Sequence, residues 1–231
     1  MRIKTEYPLY ISSIAHILKA NLKFNTKINA ITTDSRECEK DDLFFALSGE
    51  NFDGVDFIDE AKFKGAYTVS SSKKSDFTVS NTESALLSVA SAYKQIVNPK
   101  YTIAVTGSVG KTTVKDFVNS LLSEVMKTHK TEKNFNNIIG LSHTLLSAKK
   151  GTDALVCELG MNHRGEIDEL SRAIHPDISI ITNIGTAHIG NLGSQEEIAK
   201  AKLEIENGMH GGKTIIKDDE VLLSEIGRAH V

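Results

Sequence analysis

Tyr101-Thr102-Ile103-Ala104-Val105-Thr106-Gly107-Ser108-Val109-Gly110-Lys111-Thr112-Thr113 is the stretch that decides the fold. Tyr101 to Thr106 is a short apolar run with β-branched residues, which predicts a strand. Beyond it Val114, Phe117, Val118, Leu121, Leu122 and Val125 recur at helical spacing. Glycines between the two let backbone N–H groups close around phosphate oxygens. The helix N-terminus adds unsatisfied donors and the positive end of its dipole. Gly107, Ser108, Gly110, Lys111, Thr112 and Thr113 are therefore expected to bind a nucleotide. Lys111 would reach the β- and γ-phosphates, and the Thr112 hydroxyl is placed to ligate Mg2+. The strict phosphate-loop pattern has a glycine where this chain has Val105. The bland alternative is a glycine-rich strand–helix turn that merely carries a lysine.

Working outward, Asp153 to Leu159 and Ile178 to Thr182 predict further strands. Their near-continuous apolar character, with connections long enough for crossover helices, suits a parallel sheet buried on both faces. Toward the N-terminus Ile28 to Thr33, Leu43 to Leu47 and Ala66 to Val69 read as strands, and Gly49 to Gly54 as a loop. Val55 to Lys64 and Thr82 to Val97 read as helices. Pro99 biases Asn98 away from helical geometry, which places a boundary there. The expected fold class is α/β, with a small N-terminal α/β domain over residues 1–97 and a phosphate-loop, parallel-sheet domain over 98–225.

Lys plus Arg number 27 and Asp plus Glu 30, a net charge of −3 that gives no basic pull toward nucleic acid or anionic membranes. No apolar run approaches the ~18 residues of a membrane helix. The first residues lack the apolar core of a signal peptide. A cytoplasmic monomer is expected. Cys38 and Cys157 lack metal-ligand spacing and read as reduced, buried thiols rather than a disulfide.

In open α/β sheets ligands bind beyond the carboxyl ends of the strands, and polar clusters fall there. Glu158, in Glu158-Leu159-Gly160-Met161-Asn162, is open to two readings: a Mg2+ ligand, or an ion-paired glutamate at a sheet edge. Thr182-Asn183-Ile184-Gly185-Thr186-Ala187-His188 ends in a histidine that either ligates a metal, orients a substrate, or satisfies a local hydrogen bond. Ser194 with Glu197 forms a capping box that starts a helix. On that helix Ile198, Ala201, Lys202 and Ile205 share one face. Lys202 either snorkels or points into the nucleotide site. Asn134, Asn136 and Asn137 either cap the following helix or hold a polar ligand.

Taken in order, these segments resemble the Mur ligases, the ATP-dependent amino-acid ligases of peptidoglycan precursor synthesis. The resemblance runs from about Ile28 to Gly208. It includes Thr33-Asp34-Ser35-Arg36, Leu43-Phe44-Phe45-Ala46-Leu47, the phosphate loop, the Asn134–Asn137 segment, Glu158 to Asn162, Thr182 to His188, and Ala201-Lys202-Leu203-Glu204-Ile205. Within the family, Thr182 to His188 and Gly193 to Ile205 are similar to the corresponding segments of members that join D-alanyl-D-alanine to UDP-N-acetylmuramoyl-tripeptide. Ser142 and Arg164 stand where the family usually has proline; both are read as loop or helix-start positions.

The resemblance implies an N-terminal UDP-substrate domain and a central ATP-binding ligase domain. It implies ATP and Mg2+ as cofactors and an acyl-phosphate intermediate. By the same resemblance Lys111, Lys202 and His188 are catalytic, and Asn137 and Asn183 join the loop in binding ATP. Thr112 and Glu158 would hold one Mg2+, while His188 and a carbamylated Lys202 would hold another. Asp34, Ser35, Arg36 and Asn134 would contact the UDP substrate. Another Mur-type or folylpolyglutamate-type ligase, or a non-catalytic nucleotide-binding fragment, is the alternative. A phosphate-loop GTPase would need a base-specificity motif such as Asn-Lys-x-Asp, which is absent from the sequence.

Mur ligases carry a third, C-terminal ligase domain, which is expected to be absent here. The central sheet is expected to hold at most four strands. Ile226-Gly227-Arg228-Ala229-His230-Val231 resembles the in-frame translation of a sequencing adapter, so residues 226–231 are expected to be non-native and the chain inactive alone.

Overall fold

The structure, a computed structural model, describes residues 2–20, 25–49, 52–187 and 189–217. It divides into two compact units, one of Met1–Val97 with Leu145–Lys150, the other of Asn98–Thr144 with Gly151–Val231.

The first unit is built on a five-stranded sheet. In spatial order its strands are β1 (Arg2–Ile3), β2 (Ile31–Thr32), β3 (Leu43–Phe45), β4 (Tyr67–Ser70) and β5 (Phe77–Thr78). Only the β1–β2 pairing is antiparallel. The run expected as a single strand from Ile28 is split. Ile28 pairs with Leu9 in a separate two-stranded ribbon, and Ile31 joins the sheet. Asn29 makes the break: its N–H donates to the Asp41 carbonyl at 2.9 Å and its side-chain amide to that of Lys40 at 3.0 Å. The helices are α1 (Ile11–Ile17), α2 (Ile58–Phe63) and α3 (Thr82–Val97). The helix expected from Val55 begins as a 3-10 turn, Gly54–Phe57, started by the Asp53 carboxylate accepting the Val55 N–H. Phe44, Ala46, Ile58, Ala61 and Cys38 pack into a core beneath α2. Ser48–Gly49 and Phe52–Asp53, expected as loop, pair as a short antiparallel ribbon. After α3, Asn98 takes φ 52°, the left-handed geometry that ends helices.

The second unit contains β6 (Tyr101–Thr106), β7 (Thr128–Lys130), β8 (Ala154–Glu158), β9 (Ile178–Ile181) and β10 (Lys213–Ile216). Their order is β7-β8-β6-β9-β10, and every pairing is parallel. Among the described residues five strands thus stand where at most four were expected. The addition, β7, is Thr-His-Lys and only half-buried, so it carries no apolar signal. The helices are α4 (Lys111–Ser123), α5 (Ile138–Leu146), α6 (Glu166–Ile174), α7 (Ile189–Leu192) and α8 (Gln195–Leu203). Ile103, Val105, Ala154 and Val156 form a buried layer against Val114, Val118 and Leu122 of α4. The other apolar positions of that helix pattern face outward, with Phe117 64%, Leu121 57% and Val125 77% exposed. The six positions form one broad stripe at i, i+3, i+4, i+7 and i+8 spacing, and only its i, i+4, i+8 edge meets the sheet. Because β6 lies between β8 and β9, its carboxyl end opens where polar segments from both neighbours converge.

Candidate active site

The loop between β6 and α4 is shaped by two glycines. Gly107 has φ 148°, and a Cβ there would fall 1.8 Å from Thr182 Oγ1. Gly110 has φ 80° and faces open space. The end of β9 clasps the loop. Asn183 Oδ1 accepts the N–H groups of Ser108 and Val109 at 3.0 and 2.9 Å. Thr182 Oγ1 donates to the Val109 carbonyl at 2.6 Å, and the Gly185 N–H donates to Ser108 Oγ at 2.9 Å. The first helical bond of α4 runs from the Val114 N–H to the Gly110 carbonyl. The amides of Lys111, Thr112 and Thr113 precede it, and such amides lack intrahelical partners. They lie beside the open face of Gly110, an arrangement suited to an anion. Lys111 Nζ folds back onto the Gly107 carbonyl at 2.9 Å.

Glu158 ends β8 and is buried. Its Oε2 accepts the Thr112 hydroxyl at 2.9 Å and its Oε1 accepts the Asn136 amide at 2.9 Å. Lys115 Nζ stands 3.8 Å from Oε2. Glu158 is therefore ion-paired and also in contact with Thr112. It lies inside the sheet, since β8 is flanked by β7 and β6. A hydroxyl beside one carboxylate fits Mg2+, which binds through one or two carboxylates and otherwise keeps waters and phosphates. Among the described residues no group of three or more His, Cys, Asp or Glu could hold a metal by itself. The site thus fits an ion that shares its ligands with a nucleotide.

Of the expected asparagines, Asn137 Oδ1 accepts the Gly140 N–H at 2.9 Å and so braces the start of α5. Asn134 is exposed, its carbonyl accepting the Asn136 N–H at 2.8 Å. Asn136 is the amide that meets the carboxylate. Lys202 is buried on α8 with Ile198, Ala201 and Ile205. Burial, with the Lys111 charge as a smaller contribution, pushes its ammonium down to about 8. Ser194 caps α8 by accepting the Glu197 N–H. The Glu197 carboxylate does not return the bond: it accepts from Arg164 at 2.9 Å and Lys200 at 2.7 Å. Glu204 accepts the Gly165 N–H on both oxygens at 2.9 Å, tying the end of the Lys202 helix to the start of α6. His188 lies outside the described residues. Ser142 falls within α5 rather than at its start, and its hydroxyl donates to the Ile138 carbonyl at 2.8 Å.

In the first unit a cavity of about 400 Å³ is lined by Asp34, Ser35 and Arg36 together with the aromatic rings of Phe44, Phe52 and Phe57. Asp34 starts a 3-10 turn, Ser35–Glu37. The Arg36 guanidinium grips it at 2.6 and 2.8 Å and holds its carboxyl down to about 2. The Ser35 hydroxyl donates to Glu60 at 2.8 Å. Lys64 donates to the Ser35 and Arg36 carbonyls at 2.9 and 3.1 Å. Cys38 and Cys157 are buried and form no disulfide, and burial raises the Cys38 thiol to about 11.

Sequence reasoning left Lys115, Glu60 and Lys64 out of the site and gave Asn136 no role beyond its place in the asparagine cluster. For Lys115 a signal existed: it lies one helical turn beyond Lys111, on the same face. Glu60 and Lys64 pair with each other at i,i+4 spacing, which the sequence shows, but their bonds to the Ser35 segment reach 25 or more positions away and leave no sequence signal.

Residues 105–231 match the Mur ligase middle domain, and residues 27–124 match the Mur ligase family catalytic domain. The UDP-N-acetylmuramoyl-tripeptide–D-alanyl-D-alanine ligase of Bacillus subtilis is 42% identical over 226 residues, covering 92% of this chain and 49% of the relative. The Escherichia coli enzyme of the same name is 38% identical over 86% of this chain and 45% of its own length. A crystal structure of MurF from Acinetobacter baumannii superposes with TM-score 0.88 at 33% identity, covering 96% of this chain and 51% of that one. That of MurF ligase from Thermotoga maritima in complex with ADP gives 0.79 at 33% identity over 86% and 48%. The chain therefore spans about half the length of the relatives it matches. With its central domain matched from β6 onward and its phosphate loop, buried glutamate and buried lysine in place, the chain belongs to the Mur ligase family.

Proposed function

We propose that the chain serves an ATP-dependent amide ligase of the cytoplasm that joins D-alanyl-D-alanine to UDP-N-acetylmuramoyl-tripeptide in peptidoglycan precursor synthesis. Residues 1–97 would bind the UDP end of the substrate, and the unit from residue 98 would bind ATP. The observation that carries the reading is the open helix N-terminus at Gly110 beside the Thr112–Glu158 pair. The names of the relatives, each near twice the matched length, support the choice of substrates.

In this reading the terminal carboxylate of the peptide attacks the γ-phosphorus and ADP leaves. The amine of D-alanyl-D-alanine then attacks the acyl phosphate, losing a proton as phosphate departs. Negative charge concentrates on the transferring group, so donors fixed beforehand are worth most. Lys111 supplies one such donor by exchanging the Gly107 carbonyl for phosphate oxygens. The amides of Lys111 to Thr113 cradle the phosphates, and Asn183 keeps the loop in shape. Mg2+, held by Thr112 and Glu158, would neutralise phosphate charge; His188 is proposed at a second ion. Lys202 suits carbamylation, since its depressed pKa leaves a larger neutral fraction to add CO2 and release a proton. In the first unit the aromatic cavity would take the uracil and Arg36 the diphosphate.

The test is ADP release with D-alanyl-D-alanine against a free diamino acid, paired with calorimetry of UDP-N-acetylmuramoyl-tripeptide against the dipeptide form. Preference for the diamino acid, or for the dipeptide substrate, would overturn the assignment.

A further inference from the structure

Lys115 lies one turn beyond Thr112 on α4 and is 1% exposed. A long cation so deeply placed needs an anionic partner. Its ammonium stands 3.8 Å from Glu158 Oε2, the oxygen that takes the Thr112 hydroxyl. It is also 3.4 Å from Asp116 Oδ1 and 3.4 Å from the Lys133 carbonyl. Asp116 is shared, because Lys130 Nζ holds the same oxygen at 2.7 Å. Glu158 is the buried partner, so the carboxylate best placed for a metal already faces a fixed positive charge. A divalent ion arriving alone would meet one hydroxyl, one balanced carboxylate and an ammonium in a site where burial weakens screening.

We propose that Lys115 is a built-in counter-ion that keeps Mg2+ off Glu158 until the phosphates of a nucleotide bring enough negative charge to outweigh it, so that metal and nucleotide load together. The inference rests on the nucleotide site proposed above. Lys115 itself need not touch phosphate. Its position one turn behind Thr112 sets the local charge while the loop amides and Lys111 do the binding.

The experiment is Mn2+ binding to the whole chain, followed by electron paramagnetic resonance with and without ADP. The wild-type chain is expected to bind Mn2+ roughly tenfold more tightly with ADP than without it. Lys115→Met should bind Mn2+ without ADP roughly tenfold more tightly than wild type. Lys115→Arg, which keeps the charge, should behave as wild type, and Glu158→Gln added to Lys115→Met should abolish the gain. Equal affinities of wild type and Lys115→Met without ADP would overturn the proposal. So would a gain that Lys115→Arg reproduces or that survives Glu158→Gln. Should Lys115→Met not fold, as judged by thermal unfolding, Lys115→Gln makes the same comparison. Failure of wild type to bind ADP would refute the nucleotide site, while the comparison without ADP still decides the role of Lys115.

Discussion

Replacing Lys202 by methionine removes an ammonium from the apolar face of α8 and keeps a side chain of similar length. Lys202 is 1% exposed among Ile198, Ala201 and Ile205, and burial lowers its pKa from 10.5 to about 8. That drop is worth about 3 kcal/mol at ~1.4 kcal/mol per pH unit. The sign follows from proton counts. Below pH 8 the folded and unfolded chains both carry the charge, and the folded one bears the full cost of burying it. Between about pH 8 and 10.5 the folded lysine is neutral while the unfolded one keeps its proton, so stability rises with pH. Above that window no penalty remains. Lys202→Met should therefore be more stable than wild type by about 3 kcal/mol at pH 7, with the difference vanishing above about pH 10.5. Urea unfolding of both chains in CO2-free buffer across this range measures the gap, and other titrating groups cancel in the difference. A gap that does not change with pH, or a wild type more stable than the variant at pH 7, would refute the reasoning.

Gly107→Ala places a Cβ 1.8 Å from Thr182 Oγ1 at a φ of 148°, so the clasp on the phosphate loop must open. ADP binding measured by calorimetry should fall by at least roughly tenfold, with a stability loss of about 1–3 kcal/mol. Asn183→Ala removes the side-chain acceptor of the Val109 amide and one of the two acceptors of the Ser108 amide, which keeps the Asn183 carbonyl. Their hydrogen exchange should quicken, and stability should drop by about 1–2 kcal/mol. Arg36→Ala frees Asp34, whose carboxyl should climb from about 2 toward 3.8 in an NMR titration. UDP-N-acetylmuramoyl-tripeptide binding should weaken roughly tenfold, while ADP binding stays as it was.

The parallel sheet was legible because its central strands, Tyr101–Thr106 and Ala154–Glu158, are buried almost throughout and so read as unbroken apolar runs. Tyr101–Thr106 and Thr82–Val97 coincide with the elements expected there. The failures share a cause. β7 is a polar triplet that pairs with β8 through its backbone, so its residue types carry no trace of the ladder. The strand expected from Ile28 divides because the side-chain amide and backbone N–H of Asn29 bond the carbonyls of Lys40 and Asp41, more than ten positions away. Helical spacing marked Phe117, Leu121 and Val125 together with Val114, Val118 and Leu122, yet only the second set meets the sheet.

The same division runs through the candidate site. Residues that would touch a ligand sit where strands end, and there the sequence switches abruptly from apolar to polar; Lys111, Glu158 and Asn183 stand out for that reason. The groups that hold them do not stand out. Lys115 lies inside a helix, where a lysine ordinarily faces water, yet it is buried with its ammonium 3.8 Å from the carboxylate of Glu158 on β8. Asn136 is the same residue type as its neighbours Asn134 and Asn137, yet its side-chain amide reaches Glu158 while its carbonyl accepts the Gly160 N–H. Glu204 follows Lys202 by two positions, yet its partner is the start of α6. Such supporting bonds join residues 22 to 46 positions apart around Glu158, a relation that periodicity within a window of a dozen residues cannot register.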